Sequence, residues 1–325
     1  MLYKQDGELI NEIKNTNTYK AEVAIWSLGQ SGIILKGENG FICIDPYLTY
    51  SIELDNPDTE FKRSFPPPLS PEQLAGIDGV LITHFHDDHM NLETLQQISQ
   101  ISEKTSFVAP ASHSSWLSDI GIHNMIKVAN DSSFVAPASH SSWLSDIGIH
   151  NMIKVANDSS FHIESFTIIP IEVAHTRYER DQNGNPYYFG YFIEVNGVKV
   201  FHSGDTIATK EIIDKVAGLQ PDIVFVPING TDYSRTSRGI IGNMNYREAV
   251  DFGIEVGADL IIPMHYDMFP NNSENPAYFV DYIFHHYPSQ KFHMMVAGER
   301  FIYRKEQKRK RPFSDVQTFI VRMNS

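Results

Sequence analysis

The chain is poor in cysteine, in positive charge and in long apolar runs. Its single cysteine, Cys43, rules out an intramolecular disulfide framework and is compatible with a reducing, cytoplasmic setting. Lys and Arg number 26 against 40 Asp and Glu, for a formal net charge of -14. A nucleic-acid partner, which needs a positive field, is therefore not expected. No stretch approaches the roughly 20 apolar residues of a membrane-spanning helix. The opening MLYKQDGELINEIKNTNTYK is charged throughout, where a signal peptide needs an apolar segment. A soluble cytoplasmic protein is expected. Core-forming residues are plentiful: 42% of the 325 residues are hydrophobic and 12% aromatic, enough for one large domain or two small ones.

The segment SFVAPASHSSWLSDIGIHNMIKVANDS at 106–132 recurs letter for letter at 133–159. Repeat arrays diverge between copies and need three or more units to bury a core. An identical pair reads instead as one duplicated strand-helix-strand unit, and removing a copy leaves 298 residues, a comfortable single domain. The expected organisation is an N-terminal extension (1–20), one domain (21–303) and a basic tail (304–325) that is a solvated end. AEVAIWSL, GIILKG and GFICID read as three strands joined by Gly-containing turns, an antiparallel start. SFPPPLSPEQ is a stiff loop with Ser70 as N-cap, Pro71 in the first helical position and Gln73 closing a capping box. GVLITH is a buried strand, and Asn91 opens a helix with Leu92, Leu95 and Ile98 on one face. Short β runs then alternate with the helices TKEIIDKVAG and NYREAVDFGIEVG, an order that layers naturally as two sheets with helices outside.

Chemistry concentrates in LITHFHDDHM, which has the form H-x-H-x-D-H: His84, His86, Asp88 and His89. Residues two apart at an extended strand end point to the same side, so His84 and His86 can share an ion. Asp88 and His89 fall where the chain turns into the next helix and can reach a second ion. Neutral imidazole and carboxylate suit zinc and also manganese. Three further donors close apolar runs later in the chain: His175 after IEVA, Asp205 in FHSGDT and His265 after LIIPM. Cys43, inside an apolar strand, reads as core.

HFHDDH followed by VAH, HSGDT and PMHYD resembles the metallo-β-lactamase superfamily of hydrolases. Within it, WSLGQSGIIL, FICIDPYL, RGIIGNM and LIIPMHYDMFPN resemble the L-ascorbate-6-phosphate lactonase family. The resemblance spans roughly Ala21 to Phe301 and implies an α/β fold, an αββα sandwich. It implies that His84, His86 and His175 hold one divalent ion (Zn2+ or Mn2+), that Asp88, His89 and His265 hold a second, and that Asp205 lies between them. It also makes Asp45, in CIDP, a residue that orients a ligand histidine; a strand-end aspartate capping a turn is the equal alternative.

Two such ions share a water and lower its pKa toward ~7, so an ester or lactone is attacked without a serine or cysteine nucleophile. Asp88 and Asp205 are the expected catalytic carboxylates, positioning that hydroxide and taking up its proton. The RGI match makes Arg238 a phosphate or substrate contact, with an ordinary surface arginine as the alternative; Arg235, Tyr233, His202 and Tyr266 are weaker candidates for the pocket. His113, His123, His140, His150, His285, His286 and His293 are expected to be structural or exposed. The leading expectation is a hydrolase of a small phosphorylated lactone or related ester, with an anionic small molecule as partner and a homo-oligomer permitted. A phosphodiesterase on the same centre is the alternative, and a catalytically idle metal-binding or regulatory protein is the alternative of another class.

Overall fold

The computed structural model describes residues 2–122, 125–129 and 153–306. Strand β1 (Glu22–Gly29) illustrates how the sequence builds the layers. Val23 and Ile25 face one way, Ala24, Trp26 and Leu28 the other, and all five are buried. A strand covered on both faces lies inside a layered domain. β2 (Gly32–Gly37) and β3 (Gly40–Ile44) continue β1 as the expected antiparallel meander. β4 (Gly79–Leu81), β5 (Ser106–Pro110), β6 (Met125–Ala129) and β7 (Ile153–Ala156) then add in parallel.

The second sheet begins with β8 (Phe161–Ile163), β9 (Phe166–Glu172), β10 (Phe189–Val195) and β11 (Val198–His202), paired antiparallel. It continues in parallel through β12 (Ile223–Pro227), β13 (Leu260–Met264) and β14 (Lys291–Phe292). β15 (Arg300–Arg304) returns to the first sheet beside β1, giving sheets of 8 and 7 strands. Between the sheets, Ile25, Ile33, Leu35 and Ile44 pack against Phe166, Ile168, Tyr191 and Phe225.

Helices cover both outer faces. α1 (Asp6–Asn15) lies in the stretch expected as an extension, yet it is part of the core: Leu9, Ile10 and Ile13 are buried with Trp26 and Leu28. The Lys36 ammonium donates to the carbonyls of Ile13 and Lys14 at 2.6 and 2.8 Å, satisfying the helix C-terminus. α2 (Ser51–Asp55), α3 (Leu92–Ile101) and α4 (Ser114–Asp119) follow. Asn91 caps α3 by accepting from the Thr94 N–H, and Leu95 and Ile98 are buried, as the spacing predicted. The capping-box segment forms only a short 3₁₀ turn, Pro71–Leu74, with Gln73 accepting from the Ser70 N–H. On the second sheet lie α5 (Lys210–Leu219), α6 (Tyr233–Thr236), α7 (Tyr246–Glu255) and α8 (Pro276–His286). The αββα sandwich expected from the resemblance is the fold observed. No helix among the described residues is long and apolar enough to cross a membrane.

The duplication enters this frame at one sheet edge. The first copy supplies β5, α4 and β6. β7 belongs to the second copy and pairs in parallel with β6, so that Ile126, Lys127, Val128 and Ala129 each oppose their own duplicates. The expected first strand and helix of the second copy, His123, His140, His150 and the tail beyond Glu306 lie outside the described residues.

Candidate metal centre

Asp45, the His84–His89 segment, His175, Asp205 and His265 follow β3, β4, β9, β11 and β13, and all reach one rim of the sandwich. The sequence reading ran β4 on to His84, but the strand stops at Leu81. Beyond it the Thr83 N–H donates to Oδ1 of Asp45 at 2.8 Å, a side chain standing where a neighbouring strand would. The chain then turns, with the His89 N–H donating to the His86 carbonyl at 2.9 Å. Asp205 is brought inward by Gly204, whose φ is +59°. A Cβ there would lie 2.9 Å from the Phe189 carbonyl and from the Thr83 side chain, so glycine is required.

The seven expected donors form two groups. His84, His86, His175 and Asp205 present donor atoms within 4.8 Å of one another, and so do Asp88, His89 and His265. Nε2 of His84 is 2.8 Å from Nδ1 of His86, and Nε2 of His175 is 3.5 Å from Oδ2 of Asp205. Asp205 also reaches the other group, 3.3 Å from Nε2 of His89 and 3.2 Å from Nε2 of His265. Asp88 lies 3.4 Å from His265 and 3.7 Å from His89.

Two of these atoms, Nε2 of His89 and Oδ1 of Asp205, are buried without a hydrogen-bond partner. Buried polar atoms are almost always paired, so orphaned donors converging from imidazoles and carboxylates are the arrangement a divalent ion completes. The residues present fit such a group.

The electrostatics divide the same way. Burial holds His84 well below the ordinary imidazole range and His86 down to about 4, so both are neutral and ready to donate a lone pair. Burial pushes His89 and His265 the same way, but carboxylates outweigh it: Asp205, Asp88 and Asp45 hold His89 well above its usual value, and Asp205 with Asp88 holds His265 at about 9. Burial favours the neutral forms of Asp88 and Asp205, yet His89 and His265 keep both carboxyls well below the usual range.

The surroundings fix these side chains. Oδ2 of Asp45 lies 2.7 Å from Nδ1 of His89, and the same carboxylate accepts from the Thr83 N–H and hydroxyl, contacts that suit both the orienting role and the turn cap. Gln30, in the turn between β1 and β2, places its amide nitrogen 2.8 Å from Oδ2 of Asp88. Gln30, Asp45 and His265 have φ of 56°, 47° and 60°, left-handed backbone at non-glycine residues around one site. Each such residue costs about 1–3 kcal/mol, a strain that clusters at functional sites.

A cavity of about 230 Å³ opens over the cluster. His86, Asp88, His175, Asp205 and His265 form its floor, and Ile52, Phe61, Ile241 and Phe269 an apolar wall. Asp87 is exposed and also lines this cavity. Among the described lining residues there is no Lys or Arg.

The expected substrate contacts stand elsewhere. Arg238 forms an ion pair with Glu60 and donates to the Ser234 carbonyl at 3.1 Å; its neighbours Gly239 and Ile241 line the cavity, but it does not. Tyr233 is 88% exposed and outside the lining, because the short helix α6 turns it to solvent. Arg235 is engaged by Asp232 and the Asn229 carbonyl. His202 is buried against the Ser31 carbonyl at 2.9 Å, and the Tyr266 hydroxyl donates to the Met295 carbonyl at 3.1 Å, so both are structural. Sequence reasoning missed Gln30 and the apolar wall. Gln30 lies within the quoted WSLGQSGIIL, where a polar residue beside glycine reads as an ordinary turn residue.

Comparison with known proteins places these features. The family model described as "Beta-lactamase superfamily domain" matches residues 42–266. A UPF0173 metal-dependent hydrolase of Staphylococcus aureus is 25% identical over 261 residues, covering 78% of this chain and 90% of that protein. The structure of Igni18, a metallo hydrolase from the archaeon Ignicoccus hospitalis, superposes with a TM-score of 0.58 at 20% identity, over 88% of this chain and 100% of that one. An isothiocyanate hydrolase from Delia radicum gut bacteria superposes with a TM-score of 0.55 at 14% identity, over 86% and 99%.

Proposed function

The chain belongs to the beta-lactamase superfamily, and from that premise we propose that it is a metal-dependent hydrolase acting on a small lactone or related carboxylic ester. The observation that carries this reading is the convergence of seven buried or partly buried His and Asp donors, five of which line one small cavity. The Staphylococcus relative and Igni18 bear names of the same kind, metal-dependent hydrolase and metallo hydrolase.

In this reading His84, His86 and His175 hold one divalent ion and Asp88, His89 and His265 another, with Asp205 between the groups. Zinc and manganese both suit this donor set. When bound, the ions supply Lewis acidity toward the carbonyl oxygen and an activated water as nucleophile. Asp88 and Asp205 orient that water by accepting its hydrogen bonds.

The cavity narrows the substrate. A phosphate remote from the reacting bond needs a side-chain cation, and Arg238 pairs with Glu60 outside the lining. Ile52, Phe61, Ile241 and Phe269 instead favour an uncharged, apolar non-reacting portion. That shifts the reading away from a phosphorylated lactone; the reacting phosphate of a phosphodiester would instead sit on the ions themselves, and the screen below separates that alternative.

The test is a hydrolysis screen of the full chain reconstituted with Mn2+ or Zn2+. The substrates are aliphatic lactones, a phosphorylated lactone, p-nitrophenyl acetate, bis(p-nitrophenyl) phosphate and a thioester. Lactone or ester turnover that a chelator abolishes and metal restores is the expected result. A loaded protein that cleaves only the phosphodiester, or nothing, would overturn the reading.

A further inference from the structure

Gln30 makes more contacts with the candidate site than any turn residue needs for its fold. Its amide nitrogen is 2.8 Å from Oδ2 of Asp88 and 3.0 and 3.2 Å from the two ring nitrogens of His265. The main chain holds it there. Its N–H donates to Oδ1 of Asp267 at 2.9 Å, and its carbonyl accepts from the His265 N–H at 2.9 Å. It is 4% exposed, its φ is 56°, and its own Oε1 is buried without a partner. A non-glycine residue kept in left-handed backbone with an unpaired amide oxygen is poor for stability alone. The contacts that offset this run to two donors of a single group, Asp88 and His265.

We infer that Gln30 is the positioning residue of the second group, fixing Asp88 and His265 as a pair and so setting that group's affinity for its ion more than that of the first. The assignment rests on the reading that the site holds divalent ions.

The chemistry of the amide suits this role. It donates to Asp88 while remaining neutral, so it orients the carboxylate without cancelling the charge that attracts a cation. A lysine or arginine in its place would neutralise Asp88 and compete with the ion. A glutamate would repel Asp88 in the empty site. The first group is held differently: Thr83 Oγ1 lies 3.0 Å from Nδ1 of His84, and the ring of Tyr188 packs beside His84, His86 and His175. Thr83 also serves the second group, its Oγ1 lying 3.4 Å from Nδ1 of His89, whereas the side-chain contacts of Gln30 run to Asp88 and His265, so a change at Gln30 falls first on the second group.

The experiment is a stepwise metal titration of stripped full-length protein with Zn2+ or Mn2+. Each step is read by chelator competition and by elemental analysis after gel filtration, with Co2+ absorption as a second, spectroscopic readout. In Gln30→Leu, near in size but unable to donate, the first step is expected to keep its Kd. The second should weaken by about 10–100-fold, the range for groups that orient a metal ligand. Gln30→Asn, which keeps a shorter amide, should fall between, and serves alone if Gln30→Leu does not fold. Equal weakening of both steps, or of neither, in a folded variant would overturn the assignment while leaving the metal site standing. A wild-type chain that takes up no ion would overturn both.

Discussion

Oδ2 of Asp45 lies 2.7 Å from Nδ1 of His89, and the same carboxylate accepts from the Thr83 N–H and hydroxyl at 2.8 and 2.6 Å. Asp45 therefore selects the tautomer of His89 whose Nε2 faces Asp205 and Asp88. Replacing Asp45 by Asn keeps an acceptor for Thr83 but turns an NH₂ toward the imidazole. Metal affinity should drop about 10–100-fold, measured by chelator competition against wild type. An unchanged affinity would reduce Asp45 to a turn cap.

Among the described residues Asp205 is the one carboxylate in contact with three histidines, His89, His175 and His265. Asp205→Asn retains its shape and removes its charge. Hydrolysis should fall by at least about 100-fold, beyond the range for groups that only orient a ligand, while circular dichroism stays that of the wild type. Turnover within a few-fold of wild type would remove Asp205 from the chemistry.

Much of this site was legible because each donor closes an apolar run. IEVAH, VFHSGD and LIIPMH announce buried strands, and the residue at the end of a buried strand has a defined place on the rim. What escaped was set by chain segments far apart in sequence. Ile52 and Phe61 meet Ile241 and Phe269 only because loops after β3, β12 and β13 fold over one opening, and no local pattern encodes that meeting. Gln30 escaped for the same reason, since its partners are 58 and 235 residues away. α1 had a readable signal: Leu9, Ile10 and Ile13 share one helical face, but the charges around them suggested a solvated extension.

The pairing of Arg238 with Glu60 bears on the substrate. Both side chains are partly exposed, at 42% and 36%, so the pair contributes about 0–1 kcal/mol to stability. Arg238→Ala should leave the melting temperature nearly unchanged and alter kcat/KM for a neutral lactone by no more than a few-fold. A loss confined to phosphorylated lactones, read as a raised KM, would restore Arg238 as the anion contact and refute the apolar reading.

His113 gives the fold an acid-sensitive point. It is buried, stacked between Tyr187 and Trp116 at centroid distances of 5.1 and 5.4 Å. Burial lowers its pKa from 6.5 to about 4. The unfolded chain therefore binds a proton that the folded chain refuses between those values. Its contribution is complete above pH 6.5 and is lost as pH falls toward 4, on the order of 1–3 kcal/mol. Urea melts of wild type and His113→Phe from pH 7.5 to 4.5 should show a shallower acid limb in the variant. Parallel limbs would place the acid sensitivity elsewhere.

The duplicated unit should be dispensable. Because 106–132 and 133–159 are identical, excising either gives the same 298-residue chain. The first copy already fills the sheet: Phe107, Leu117 and Met125 are buried, and the Ser112 hydroxyl donates to the Pro186 carbonyl at 2.8 Å, close to Tyr188 and the first donor group. After β7, the Asn157 N–H donates to the Ala129 carbonyl at 2.8 Å and its Oδ1 accepts from the Glu172 N–H at 3.0 Å, leading into β8. In the shortened chain Ala129 is followed by the same Asn-Asp-Ser-Ser-Phe that now follows Ala156, so this entry is preserved in sequence. Excision removes one edge ladder and shortens one connection. The entropy of that connection changes slowly with length, about 0.6 kcal/mol per doubling. The shortened protein should therefore melt within about 4 °C of the full chain and bind the same number of ions, measured side by side by calorimetry and elemental analysis. An insoluble product, or one that has lost an ion, would mean that the second copy supports the rim on which the donors stand.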